Sequence, residues 1–100
     1  MNRAAGDSPR IFTARQGQYL AFIHAYTLVN GRPPAHADIQ RFFQVTPPSV
    51  HQTVLTLERN RLIRRDPGKA RSIQVLVDPD ALPPLRARNN QLVKSSVQRY

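Results

Sequence analysis

A mainly α domain of three helices closed by a small β-hairpin is the fold class that the sequence predicts, and three observations predict it. Apolar residues recur at helical spacing in three stretches, residues 13–30, 36–43 and 45–61. A tight-turn sequence, Asp66-Pro67-Gly68-Lys69, then separates two short β-prone runs. The junction between the second and third helical stretches is only Gln44-Val45, too short for anything but a turn. Helix, turn, helix and hairpin after a leading helix is the order of a winged helix-turn-helix.

The first helix is expected over residues 13–30. Thr13-Ala14-Arg15-Gln16 reads as a capping box, in which Thr13 and Gln16 satisfy each other's backbone amides. Leu20, Ile23 and Thr27 form a stripe that Tyr19, Phe22 and Tyr26 widen. Asn30-Gly31 ends the helix, with Gly31 suited to a left-handed cap. Gly17 weakens the first turns slightly, and His24 beside the stripe reads as a packing or surface residue.

Arg32-Pro33-Pro34 is a stiff, extended connector into a second, short helix over residues 36–43. Ala35 is a poor N-cap, but Asp38 in the first turn can serve the free amides and the helix dipole. Ile39, Phe42 and Phe43 are expected to face inward. The turn carries Gln44 where many such motifs prefer Gly.

Thr46 is the expected N-cap of the third helix, residues 46–60, with Pro47 and Pro48 at positions where a missing N–H costs little. Val50, Val54 and Leu57 mark its buried stripe. Ser49, Gln52, Thr53, Thr56 and Arg59 repeat on another side, a short polar face suited to base edges in a groove. An ordinary solvated face has the same appearance, so the surroundings must decide.

The wing is expected over residues 62–76. Leu62-Ile63-Arg64-Arg65 reads as one strand, and Ile73 and Val75 alternate with polar neighbours in the other. Pro67 and Gly68 occupy the central positions of a type II turn. Arg59, Arg61, Arg64, Arg65, Lys69 and Arg71 fall between Glu58 and residue 71, opposed only by Glu58 and Asp66. Basic residues also guard edge strands against unwanted pairing. Directly after a candidate groove helix, they point instead to phosphate.

Residues 1–10 read as a disordered arm, 11–78 as the domain, and 79–100 as a basic tail. Leu82 and Leu85 offer docking points, and Leu92 and Val93 allow a helix as readily as a loose tail. Fifteen Lys and Arg against six acids, a net charge of +9, favour a polyanionic partner. The lack of Cys excludes a disulfide framework and a thiolate metal site. No apolar run is long enough to cross a bilayer and no signal-peptide core is present, so a cytoplasmic location is expected. His24, His36 and His51 lack metal-ligand spacing, the acids are scattered, and no Gly-rich phosphate loop occurs. Catalysis, metal and cofactors are therefore not expected.

The chain resembles the N-terminal DNA-binding domain of LexA-type repressors. The resemblance rests on Phe12-Thr13-Ala14-Arg15-Gln16, Gly31-Arg32-Pro33-Pro34, Asp38-Ile39, Pro47-Pro48-Ser49-Val50, Leu57-Glu58-Arg59, Leu62-Ile63-Arg64 and Pro67-Gly68. It covers about residues 12–77. It implies a bacterial transcription regulator or repressor that reads double-stranded DNA with its third helix, through positions falling on Thr46, Pro48, Ser49, His51 and Gln52. Pro48 has no N–H to read a base, and His51 and Gln52 stand where the best-known member is acidic, which implies a different operator. Lys94, Ser95 and Ser96 lie in a polar tail with no fold to build the family's self-cleaving Ser/Lys site, so self-cleavage is not the expected switch.

The combined expectation is base reading by Thr46, Ser49, His51, Gln52, Thr53 and Thr56, with Arg59, Arg64, Arg65, Lys69 and Arg71 on the DNA backbone. Five neutralised phosphates correspond to a salt slope of about −4 to −5. A footprint this small calls for a homodimer on paired half-sites to bind tightly. The rivals are a protein-interaction winged helix and an RNA-associated basic protein.

Overall fold

Local signals near the helix ends set the framework of the computed structural model, which describes residues 12–86. Helix α1 spans Ala14–Asn30, with Thr13 as N-cap. The Gln16 amide donates to Thr13 Oγ1 (3.1 Å), and Gln16 Oε1 accepts from the Thr13 amide (2.9 Å), completing the capping box. Gly31 ends α1 at φ 76°, a left-handed conformation that glycine adopts without Cβ strain.

Helix α2, His36–Phe43, begins at Ala35, whose amide donates to Asp38 Oδ2 (2.8 Å). The acid in the first turn thus replaces the side-chain cap that alanine lacks. That hydrogen bond, helped by nearby Arg71, holds the Asp38 carboxyl below its ordinary value. Helix α3 spans Pro47–Arg59, and Thr46 Oγ1 accepts from the Ser49 amide (3.3 Å).

Between α2 and α3, Gln44 sits at φ 55° and ψ 51°. This is the left-handed region that glycine tolerates best, at about 1–2 kcal/mol for other residues. Gln44→Gly is therefore expected to stabilise the fold by about 0.5–1 kcal/mol, after glycine's extra chain entropy is set against the relieved strain. Thermal unfolding should show a rise of a few degrees, and a lowered midpoint would refute the strain.

Strands β1, Ile63–Arg64, and β2, Gln74–Val75, pair antiparallel, Ile63 opposite Val75 and Arg64 opposite Gln74. The wing is thus shorter in ladder and longer in loop than the alternating pattern suggests. Ser72 explains the difference. Its hydroxyl accepts from the Asp66 amide (3.0 Å) and donates to the Lys69 carbonyl (3.0 Å), so a side chain closes the loop where a ladder would have run. Gly68 at φ 74° and the Lys69 N–H to Asp66 carbonyl bond (3.1 Å) form the expected type II turn.

One core joins these parts. Leu20, Ile23, Ile39, Val50, Val54, Leu57, Leu62, Ile63, Ile73 and Val77 are buried together. Aromatic rings fasten α1 to α2: Tyr19 stacks on Phe43 at 4.4 Å and Phe22 on Phe42 at 4.6 Å. The architecture is a winged helix-turn-helix.

A short 3-10 helix, Pro79–Ala81, follows β2, and the chain then lies along α1. Gln18 Nε2 donates to the Pro84 carbonyl (2.8 Å) and Gln18 Oε1 accepts from the Arg86 amide (2.7 Å). A Cβ on Gly17 would stand 3.0 Å from both Phe12 and Pro83, so the glycine makes room for this return. Leu82 and Leu85 dock on the core as the sequence allowed, and the packed unit runs past residue 78. The expected arm 1–10 and the alternatives for the tail around Leu92 and Val93 lie outside the described residues.

Candidate nucleic-acid interface

Helix α3 is amphipathic, and its burial sorts the expected readers. Val50, Val54 and Leu57 lie in the core. At about 100° per residue, Gln52 and Arg59 stand opposite that stripe, with Thr56 beside them. Ser49 and Thr53 occupy one flank and are half-buried. His51 is on the other flank, toward the start of α2, where it contributes to lowering the pKa of His36. Gln52, Thr56, Ser49 and Thr53 therefore form one band, with Thr46 at its N-terminal end and His51 set apart from it.

Their hydrogen bonds separate them further. Thr46 caps the helix. Thr53 Oγ1 donates to the Ser49 carbonyl (2.9 Å) and Thr56 Oγ1 to the Gln52 carbonyl (2.9 Å). These hydroxyls retain lone pairs but have spent their protons on their own helix. Ser49 Oγ accepts from Arg15 Nη2 (3.3 Å). Gln52 is exposed, and its amide has no hydrogen-bond partner among the described residues.

The five expected backbone contacts also divide. Arg59 and Lys69 are exposed and make no ion pair among the described residues. Arg64 bonds Gln74 Oε1 (2.7 Å) and stands 3.7 Å from Asp66, a pair open enough to solvent to reorganise at little cost. Arg65 pairs with Glu58 at 3.1 Å. Arg71 departs from expectation. Its Nη1 donates to Tyr26 Oη (3.1 Å) and the Pro33 carbonyl (3.4 Å) and pairs with Asp38 Oδ2 (3.1 Å). Half-buried, its one guanidinium ties the wing to α1, the connector and α2 together, and its backbone stands at φ 54°.

Sequence reasoning missed two residues near the candidate surface. Arg15 comes from α1, bonds Ser49 at the start of α3, and lies 5.6 Å from the Tyr19 ring centre. Nothing local to the Thr13–Gln16 capping box indicates this, because the partner is thirty-four residues away. His36, at the start of α2, faces the wing across a groove that also holds Arg65, Lys69 and Arg71. Its proximity to a Pro-Pro connector was the only local signal. Among the described residues no His, Cys, Asp and Glu cluster suits a metal ion, and no helix is long and apolar enough to cross a membrane.

Comparison with known proteins adds an independent observation. The model of the LexA DNA binding domain matches residues 10–72. The chain is similar to the LexA repressor of Thermosipho africanus, 39% identical over 70 residues, which is 70% of this chain and 35% of that protein. It is similar to the LexA repressor of Thermosipho melanesiensis at 38% over 64 residues, 64% of this chain and 32% of that one. The chain thus spans about a third of the length of these curated relatives.

Proposed function

The chain belongs to the LexA DNA-binding domain family, and from that membership we propose that it is a transcriptional regulator that binds double-stranded DNA with sequence preference. The observation that carries the reading is the free, exposed amide of Gln52 on a core-anchored helix that also presents the exposed cation Arg59 on the same side. Helix α3 enters the major groove and Gln52 reads a base, since its amide can bond an adenine edge in two places. Ser49, Thr53, Thr56 and Thr46 line the same approach with their remaining lone pairs, and His51 contacts phosphate or base from the other flank. Arg59, Arg64, Arg65 and Lys69 hold the DNA backbone, and the wing tip crosses to the minor groove. Arg71 serves this surface by fixing the wing. A homodimer on paired half-sites supplies the affinity that one small module lacks.

Selection of bound fragments from a random duplex library tests preference and half-site spacing together. On a selected site, Gln52→Ala is expected to cost about 1–3 kcal/mol and to relax preference at about one base pair, leaving binding to unrelated duplexes nearly unchanged. Equal binding of all duplexes by the native chain would favour an RNA-associated or protein-binding role instead.

A further inference from the structure

The groove between the start of α2 and the wing has a volume of about 460 Å³. His36, Arg65, Lys69, Arg71 and Ser72 line it, with Asp66 as its acidic member. The nearby carboxylates are already engaged: Glu58 with Arg65 (3.1 Å), Asp66 with Arg64 (3.7 Å), and Asp38 with Arg71 (3.1 Å) and Arg41 (3.5 Å). His51 approaches from α3. His36 therefore meets positive or titratable groups from α3, from the end of β1 and from the wing, and no carboxylate pairs with it among the described residues.

We propose that this groove is a subsite for one DNA backbone phosphate, with His36 as a ligand that takes up a proton when the phosphate arrives. The proposal rests on the DNA-binding reading above. A phosphodiester brings a negative charge that Lys69 alone does not saturate, and an imidazole becomes a second donor to it once protonated. Free of DNA, the imidazole is biased toward its neutral form: burial first, then Arg65 and His51, lower its pKa below the ordinary histidine value. Bound phosphate reverses that balance. The proton enters on the ring nitrogen from solvent, and no bond is broken in the DNA.

The test measures binding of a mixed-sequence DNA duplex from about pH 7.5 to about pH 5.5 at fixed salt. Calorimetry in two buffers of different ionisation heat counts the protons. Native protein is expected to take up close to one proton in mid-range, tightening by up to about tenfold per pH unit. His36→Gln should lose that uptake and the tightening with it, so that its affinity falls increasingly below that of native protein as the pH is lowered. His36→Lys, permanently charged, should bind at the alkaline end as tightly as native protein does at the acid end, with a flat profile. Circular dichroism at each pH checks the fold. A histidine with a depressed folded value contributes stability that is present above its ordinary pKa and lost as pH falls through the lowered one. Uptake that persists in His36→Gln, or disappears in His51→Gln but not in His36→Gln, overturns the proposal while leaving DNA binding intact. Absence of duplex binding at every pH removes both readings.

Discussion

Ile39→Ala is expected to cost about 2–5 kcal/mol and to leave the domain near its unfolding threshold. Ile39 is wholly buried, and it is the only residue of α2 that is. An eight-residue helix does not persist alone, because its nucleation cost is spread over too few hydrogen bonds. The Ile39 side chain and the stacked rings of Phe42 and Phe43 hold it in place. Removing most of a buried isoleucine loses the transfer energy and leaves a cavity. Against about 5–10 kcal/mol for a unit of this size, the loss is a large share of the total. The effect should reach α3 as well, since α2 braces it through the strained Gln44 turn. Urea unfolding should show a lower midpoint at an unchanged slope. A loss below about 1 kcal/mol would mean that α2 is held by something other than this core.

The second large effect is the response of DNA binding to salt. Four cations, the exposed Arg59, Arg64 and Lys69 and the half-buried Arg65, predict a slope of log K against log salt of about −3.5. That corresponds to about a hundredfold loss of affinity between about 50 and 200 mM salt. The sequence alone would set the slope steeper, by counting Arg71. The structure removes that arginine from the count, because its guanidinium is held on three elements at once, by Asp38, Tyr26 and Pro33, whereas Arg65 has the one partner Glu58. Lys69→Ala should make the slope shallower by about 0.9 and weaken binding to all duplexes alike. The titrations belong at about pH 7.5, where His36 adds no charge of its own. A slope near zero would be incompatible with a phosphate-clamping surface.

Most of the secondary structure was legible in the sequence, because helix ends and turns are decided within about four residues. Thr13 and Gln16 cap each other, Asp38 serves the Ala35 amide, Thr46 caps α3 and Gly68 turns the wing. Each of these needs only a donor and an acceptor at a fixed short spacing. The apolar stripe of α3 likewise follows from the helical period, and it assigns Gln52 and Arg59 to the exposed side. Family resemblance carried the same elements in the same order and agrees with the match over residues 10–72.

The candidate surface was less legible. A run of arginines contributes the same net charge whether it faces solvent or is folded inward, so composition does not distinguish Lys69 from Arg71. The Pro83-Pro84 stretch is stiff and carries no local signal of a contact, yet Gln18 clamps the chain at Pro84 and Arg86 and Gly17 admits it against α1. His36 carried no local signal beyond the Pro-Pro connector before it, and it became a candidate ligand only when the wing faced it.

The sequence by itself determined three helices, their caps, the wing turn and a run of basic residues from α3 into the wing, because each rests on spacing along the chain. The tertiary structure alone decided which side chains of the candidate surface are free. Arg71 meets Tyr26 forty-five residues away and Arg15 meets Ser49 thirty-four away, and a hydrogen bond of about 3 Å between such partners exists only after the core has brought them together.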